Sequence, residues 1–172
     1  MAISYNYYGL MFQFPYGFQI GATAVIGNVL GEEKERTGKI LSMMTVIYSS
    51  TITLLLGLLT YNYASEIAYA YTEDSDTVAL LERCLESLSF SLATLGAALS
   101  LQAVMKALLQ QVIASKILMM CLYFISLPMA WWLSIELEVG VTGLWRGFCL
   151  GQVVVVLLYA FLIYHIDWQA II

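Results

Sequence analysis

The chain has 172 residues, 61% hydrophobic and only 11% charged, with mean hydropathy +0.82 and net charge −5. A soluble domain carries about 25% charged residues. The composition therefore excludes an ordinary cytosolic enzyme, a disordered tail and, with 7 Lys+Arg, a nucleic-acid binder. What remains is a polytopic membrane protein whose first partner is the lipid bilayer.

Charge-free stretches mark the spans. They cover residues 1–31, 40–65, 87–105, 117–135 and 147–166. About 18 apolar residues suffice to cross a ~30 Å hydrocarbon core as a helix. The runs are continuous rather than alternating, which excludes a membrane β-barrel. Backbone polar groups find no water in lipid, so the spans must be helices. The predicted fold is all-α, a five-span transmembrane bundle in a single domain over 1–172, with helices at about 6–29, 40–64, 82–107, 112–134 and 141–165. The acidic segment 66–86 between the second and third spans reads as a solvated loop.

The first span holds Gln13, Gln19, Thr23 and Asn28, the third holds Gln102, and the last holds Gln152. Gln19 and Thr23 are four apart and share a helix face. Intramembrane polar groups are either interhelical hydrogen-bonding groups or the wall of a water-filled path. Arg146 is the one strong charge inside a span; five residues from the span's end it can snorkel to the interface, or contact a substrate or ion. Pro15 and Pro128 each fall inside a span and should bend it. Gly17 and Gly21, Gly27 and Gly31, and Gly143, Gly147 and Gly151 recur every four residues. That spacing lets helices approach closely in lipid. Aromatic residues such as Tyr5, Tyr63, Trp131, Trp132 and Trp168 cluster near span ends, where they favour the interface.

Five crossings place 30–39, 106–116 and the C-terminus on one side, with Lys34, Arg36, Lys39, Lys106 and Lys116. The other side has only Arg83 and Arg146. The excess of Lys and Arg predicts a cytoplasmic C-terminus and an outside N-terminus. MAISYNYY lacks the basic n-region of a cleaved signal peptide. Delivery of that end across the membrane points to a chain that is part of something larger.

Cys84, Cys121 and Cys149 are far apart and read as reduced core residues, and the lone His165 makes no metal site. No nucleophile–base pair, paired membrane carboxylates, phosphate loop or HExxH motif is present. The sequence does not predict an enzyme.

The stretch PYGFQIGATAVIGNVLGEEKERTGK (15–39) resembles the second helix of the C-terminal lobe in multidrug and toxic compound extrusion (MATE) transporters. Its P-x-G…V-G-N-x-L-G pattern is met by Pro15, Gly17, Ala22, Ala24, Ile26, Gly27, Asn28, Leu30 and Gly31. VMKALLQQ (104–111) is similar to the family's V-L-R-G-x-G-x-Q, with Lys106 for the Arg, Ala107 and Leu109 for the two Gly, and Gln111 for the Gln. The family's L-P pair follows as Leu127–Pro128. GVTGLWRGFCLGQ (140–152) resembles G-x-x-G-L-W-x-G-x-x-x-G, and Asp167–Trp168 resembles the closing D-W.

The resemblance implies helices 8 to 12 of a twelve-helix, two-lobed fold. It also implies export of organic cations or drug-like compounds, a multidrug efflux antiport coupled to H+ or Na+ by alternating access. No cofactor is implied. The N-terminal lobe and helix 7 would come from a longer product or a second chain. In the resemblance Gln13, Gln19, Thr23 and Asn28 contribute to the substrate-path wall, and Pro15 and Gly17 let the helix bend. Read from the residues themselves, Arg146 is a further substrate-path candidate, and Gly21, Gly27, Pro128, Gly143, Gly147 and Gly151 are bending and packing positions. The family's helix-10 acid falls near Leu95, in an uncharged stretch, so no coupling residue is assigned. The alternative is a truncated, non-transporting module that associates with a full-length relative.

Overall fold

The computed structural model describes residues 2–168; Met1 and residues 169–172 of the expected single domain lie outside the described residues. Every regular element among them is helical: α1 Ala2–Gly31, α2 Glu35–Asn62, α3 Ala64–Tyr71, α4 Ser75–Ala107, α5 Gln111–Cys121, α6 Leu127–Trp131 and α7 Val141–His165. Two π-helical turns, Leu122–Ser126 and Trp132–Glu136, flank α6 and join it with α5 into one rod, Gln111–Glu136. Four helices are long and apolar enough to cross a membrane: α2, α4, the 111–136 rod and α7. α1 spans 30 residues and carries no charge, but its Gly, Tyr, Gln and Asn content makes it less apolar.

Most helices run past the ends expected from charge. α1 starts at Ala2, and α2 starts at Glu35, within the charged turn. Ionised side chains end the apolar run but not the backbone ladder, which continues where water can solvate them. The 66–86 segment differs most. It is helical except at 72–74, because α3 turns Ala64 and Ala68 into the core against Tyr7, Leu81 and Leu85. Asp74 then caps α4 by accepting from the Thr77 backbone N–H at 3.1 Å.

α4 is the axis of the bundle. Two thirds (67%) of its most apolar window is buried, against 17–28% for the other three spans, and α1, α2 and α7 all pack on it. α2 shows how such a helix is built for lipid. Its large side chains, Met43, Ile47, Leu54, Leu55 and Leu58, are exposed, while Gly38, Ser42, Ser49, Thr53, Gly57 and Thr60 are buried. Small residues admit the neighbouring backbone, and hydroxyls bond across the seam. Ser49 donates to the Gly96 carbonyl at 3.1 Å, and the Gly96 N–H donates to Thr53 Oγ1 at 3.1 Å.

Pro15 and Pro128 are handled differently. α1 runs helically straight through Pro15, which is buried. At Pro128 the helix widens into π turns on either side, relieving the missing N–H and the ring's clash with the preceding turn. Beyond it, Gly140 adopts φ +69°, which favours glycine, and its carbonyl accepts from Ser134 Oγ at 2.6 Å. This tight corner sends α7 back along the rod.

Candidate functional site

Four helices each present one stripe, at three- or four-residue spacing, to a shared space. α1 contributes Tyr8, Phe12, Tyr16 and Gln19; α4 contributes Leu95, Ala98, Leu99, Gln102 and Lys106. The rod adds Leu118, Leu122 and Ser126, and α7 adds Phe148, Gly151, Gln152, Val155 and Tyr159. These spacings are the recurrence of one helical face. The stripes enclose a cavity of about 320 Å3, the lower end of the range for small-molecule sites.

Its polar groups form a short chain. Gln19 Nε2 donates to Gln102 Oε1 at 2.6 Å, joining α1 to α4. Tyr159 OH donates to the Ala114 carbonyl at 2.7 Å, joining α7 to α5. The Oε1 atoms of Gln19 and Gln152 are buried with no hydrogen-bond partner. One end of the wall is aromatic: Tyr8 lies 5.9 Å from Phe148, edge to face, and Phe12 stacks on Tyr16 at 5.4 Å. Among the described residues no Asp or Glu lines the cavity, and Lys106 is its one charged residue.

The residues singled out from sequence separate into groups. Gln19 is in the cavity wall. Thr23 lies one turn on, its hydroxyl donating to the Gln19 backbone carbonyl at 2.9 Å. Gln13 and Asn28 are exposed on the outer side of α1, on the same face as Gly17 and Gly21. A Cβ at Gly17, Gly21 or Gly27 would meet nothing within 4 Å. Arg146 is exposed on α7 and lies outside the cavity wall. Gly143, Gly147 and Gly151 face the rod, against Leu133–Ser134, Ala130 and Ser126 in turn.

The sequence uses Lys106 for orientation and for the family motif, reads Tyr8 as an interfacial ring, and singles out no cavity role for these two or for Phe12, Tyr16, Ser126 and Tyr159. The signal for these is the four-residue spacing on each helix, legible only once the helices are known to converge. His165 is exposed, its Nδ1 at 2.8 Å from the Phe161 carbonyl. Among the described residues no three His, Cys, Asp or Glu side chains gather into a metal site.

A helical bundle with lipid-facing apolar surfaces and an internal cavity of mixed polarity belongs to the class of multi-pass membrane proteins. The MatE family model matches residues 1–132, and the chain belongs to that family. It is 23% identical over 98% of its length to Protein DETOXIFICATION 32 of Arabidopsis thaliana, covering 33% of that protein. It is 22% identical to Multidrug and toxin extrusion protein 1 of Danio rerio, again over 98% of the chain and 28% of that protein. The crystal structure of the eukaryotic MATE transporter AtDTX14 superposes with TM-score 0.92 at 16% identity, covering 99% of this chain and 38% of that one. The chain spans about a third of the length of these relatives.

Proposed function

We propose that the chain forms part of a two-lobed secondary transporter, exporting organic, drug-like or toxic compounds by cation-coupled antiport. The observation that carries this reading is the cavity enclosed by α1, α4, the rod and α7 within a fold of the MatE family. An interior space holding amide groups and aromatic rings suits passing contacts with a small organic molecule. The family's members are transporters rather than enzymes, and the Danio rerio relative is a multidrug and toxin extrusion protein.

In this reading α1 is a fifth crossing, and the chain corresponds to helices 8 to 12 of the C-terminal lobe. The lysine-bearing turns face the cytoplasm with the C-terminus, and the acidic 66–86 side faces out. The exposed face of α1, with Gln13, Gly17, Gly21 and Asn28, turns toward the remainder of the assembly. Its open glycines support this orientation, since among the described residues nothing lies within 4 Å of a Cβ at Gly17 or Gly21. The coupling ion, H+ or Na+, acts on groups outside this chain.

Everted vesicles from cells expressing the chain together with the N-terminal lobe of a MATE relative test the proposal. Substrate uptake driven by an imposed H+ or Na+ gradient is the expected result. No gradient-dependent uptake by the folded pair sinks it. An antibody against 66–86 separately reports whether the native polypeptide runs near 19.2 kDa or two to three times larger.

A further inference from the structure

The cavity wall is chemically one-sided. Lys106 sits half-buried at its α4 end and makes no ion pair among the described residues. The two lysines that do pair, Lys34 with Glu32 and Lys39 with Glu35, belong to the charged turn after α1. Among the described residues no carboxylate in the wall answers the Lys106 ammonium. Gln19 and Gln152 are 2% and 8% exposed, and each keeps one carbonyl oxygen without a donor. Tyr8, Phe12 and Tyr16 continue the α1 stripe that carries Gln19, and Phe148 continues the α7 stripe that carries Gln152, as the aromatic part of the wall. Among the described residues the wall therefore offers one cation, two acceptors without donors and a surface of aromatic rings.

We propose that this cavity binds an aromatic anion bearing a hydroxyl or amide donor, its acidic group at Lys106 and its donor at Gln19 or Gln152. The proposal rests on reading the cavity as a substrate path, and it names the substrate class of that path within this chain. A ring of this kind fits a space of about 320 Å3. An organic cation of the same shape meets the Lys106 charge with no counter-charge in the wall. In a partly desolvated site that repulsion is large.

The test uses two small probes of matched shape and opposite charge, 4-hydroxybenzoate and 4-hydroxybenzylammonium. Each is titrated by equilibrium dialysis against the full chain in nanodiscs of zwitterionic lipid. The anion is expected to bind about tenfold more tightly than the cation. Lys106→Gln removes that preference, and Lys106→Glu reverses it. Gln19→Leu combined with Gln152→Leu weakens both probes alike, leaving their ratio unchanged. Circular dichroism of each variant establishes that it is folded, and Lys106→Met serves where Lys106→Glu fails that check. Equal binding of the two probes, an unchanged ratio in Lys106→Gln, or no binding of either probe overturns the proposal. Selective binding without vesicle transport refutes the transport reading alone, and transport without selective binding refutes this proposal alone.

Discussion

Gly147 of α7 lies directly against Ala130 of the rod. A Cβ at 147 would stand 2.3 Å from the Ala130 nitrogen and 2.4 Å from its Cα. The contact is one rung of a ladder in which Gly143 meets Leu133–Ser134 and Gly151 meets Ser126. The partners on the rod step by four as the glycines do, in the opposite direction. Neither backbone can retreat, because the obstacle to a methyl is main chain rather than a movable side-chain tip.

Gly147→Ala is therefore expected to destabilise the bundle by about 1–3 kcal/mol, the usual range for overpacking. Gly17→Ala, on the open face of α1, is expected to be neutral or slightly stabilising through helix propensity. Unfolding of both variants in mixed detergent micelles compares them. Equal losses would mean that the ladder contact is looser than its distances.

Leu109 ends α4 with φ +60°, in the left-handed region. The Gln110 N–H bonds back to the Met105 carbonyl at 2.8 Å, the hydrogen bond of a Schellman cap. This is the position at which the resembling family motif has its second glycine. A leucine there bears a strain of about 1–2 kcal/mol, and its side chain is 75% exposed, so little packing offsets it. Leu109→Gly should raise stability by about 1 kcal/mol. A drop on the same unfolding assay would show that the side chain has a hidden contact.

Thr53 joins α2 to α4 twice, accepting from the Gly96 N–H and lying 3.5 Å from the Ala93 carbonyl. Thr53→Val keeps the volume and removes the hydroxyl. Interhelical hydrogen bonds in membranes average about 0.6 kcal/mol, and a loss near that value is expected. Gly96→Ala should cost far more, since its Cβ would fall 2.3 Å from the Ser49 carbonyl oxygen. Helicity and gel-filtration profiles of the two variants distinguish a weakened seam from a split one.

The Asp74 carboxyl is held below its ordinary pKa by hydrogen bonds from the Thr77 hydroxyl and backbone N–H. Its folded pKa lies below its unfolded one. The cap is therefore fully effective above about pH 4 and is lost as pH falls through the folded value. Amide exchange at Thr77, taken relative to its intrinsic rate at each pH, should accelerate in acid in the native chain. Asp74→Asn, which caps without a titrating group, should make that exchange indifferent to the carboxyl's protonation. A native chain with no acid-dependent loosening at Thr77 would refute the assignment.

Four helices long and apolar enough to cross a membrane were legible because charge marks where their apolar runs end. The α7 boundaries, 141–165, follow from Gly140 on one side and the polar end at His165 on the other. α3 was hidden because Glu66 breaks the apolar run, although Ala64, Ile67 and Ala68 lie on one helical face. Within the site, Gln19 could be seen as a polar group in a span, but its neighbours Gln13 and Asn28 could not be told apart from it. α1 has polar, small and apolar residues spread around its whole circumference, so its sequence does not reveal which face meets α4. Lys106 was missed for a different reason. A lysine in the last turn of a helix already has a reason to be there, in the partial charge of the helix end. Only convergence of the other three helices places it beside a cavity.

α1 is fastened at its two ends and free along one side. Near its start the Tyr7 hydroxyl shares a 2.7 Å hydrogen bond with Thr60. Near its finish Ile26 and Leu30 are wedged with Leu108 and Trp168, whose indole has the Lys39 ammonium 5.6 Å above it. Pro15 lies between these fastenings, where one rung of the backbone ladder is missing. Mechanically this is a beam pinned at both supports: it can bow at its middle but cannot slide lengthwise. Of the motions open to α1, curvature at Pro15 is the one that widens the space beside Gln19 and leaves both fastenings in place.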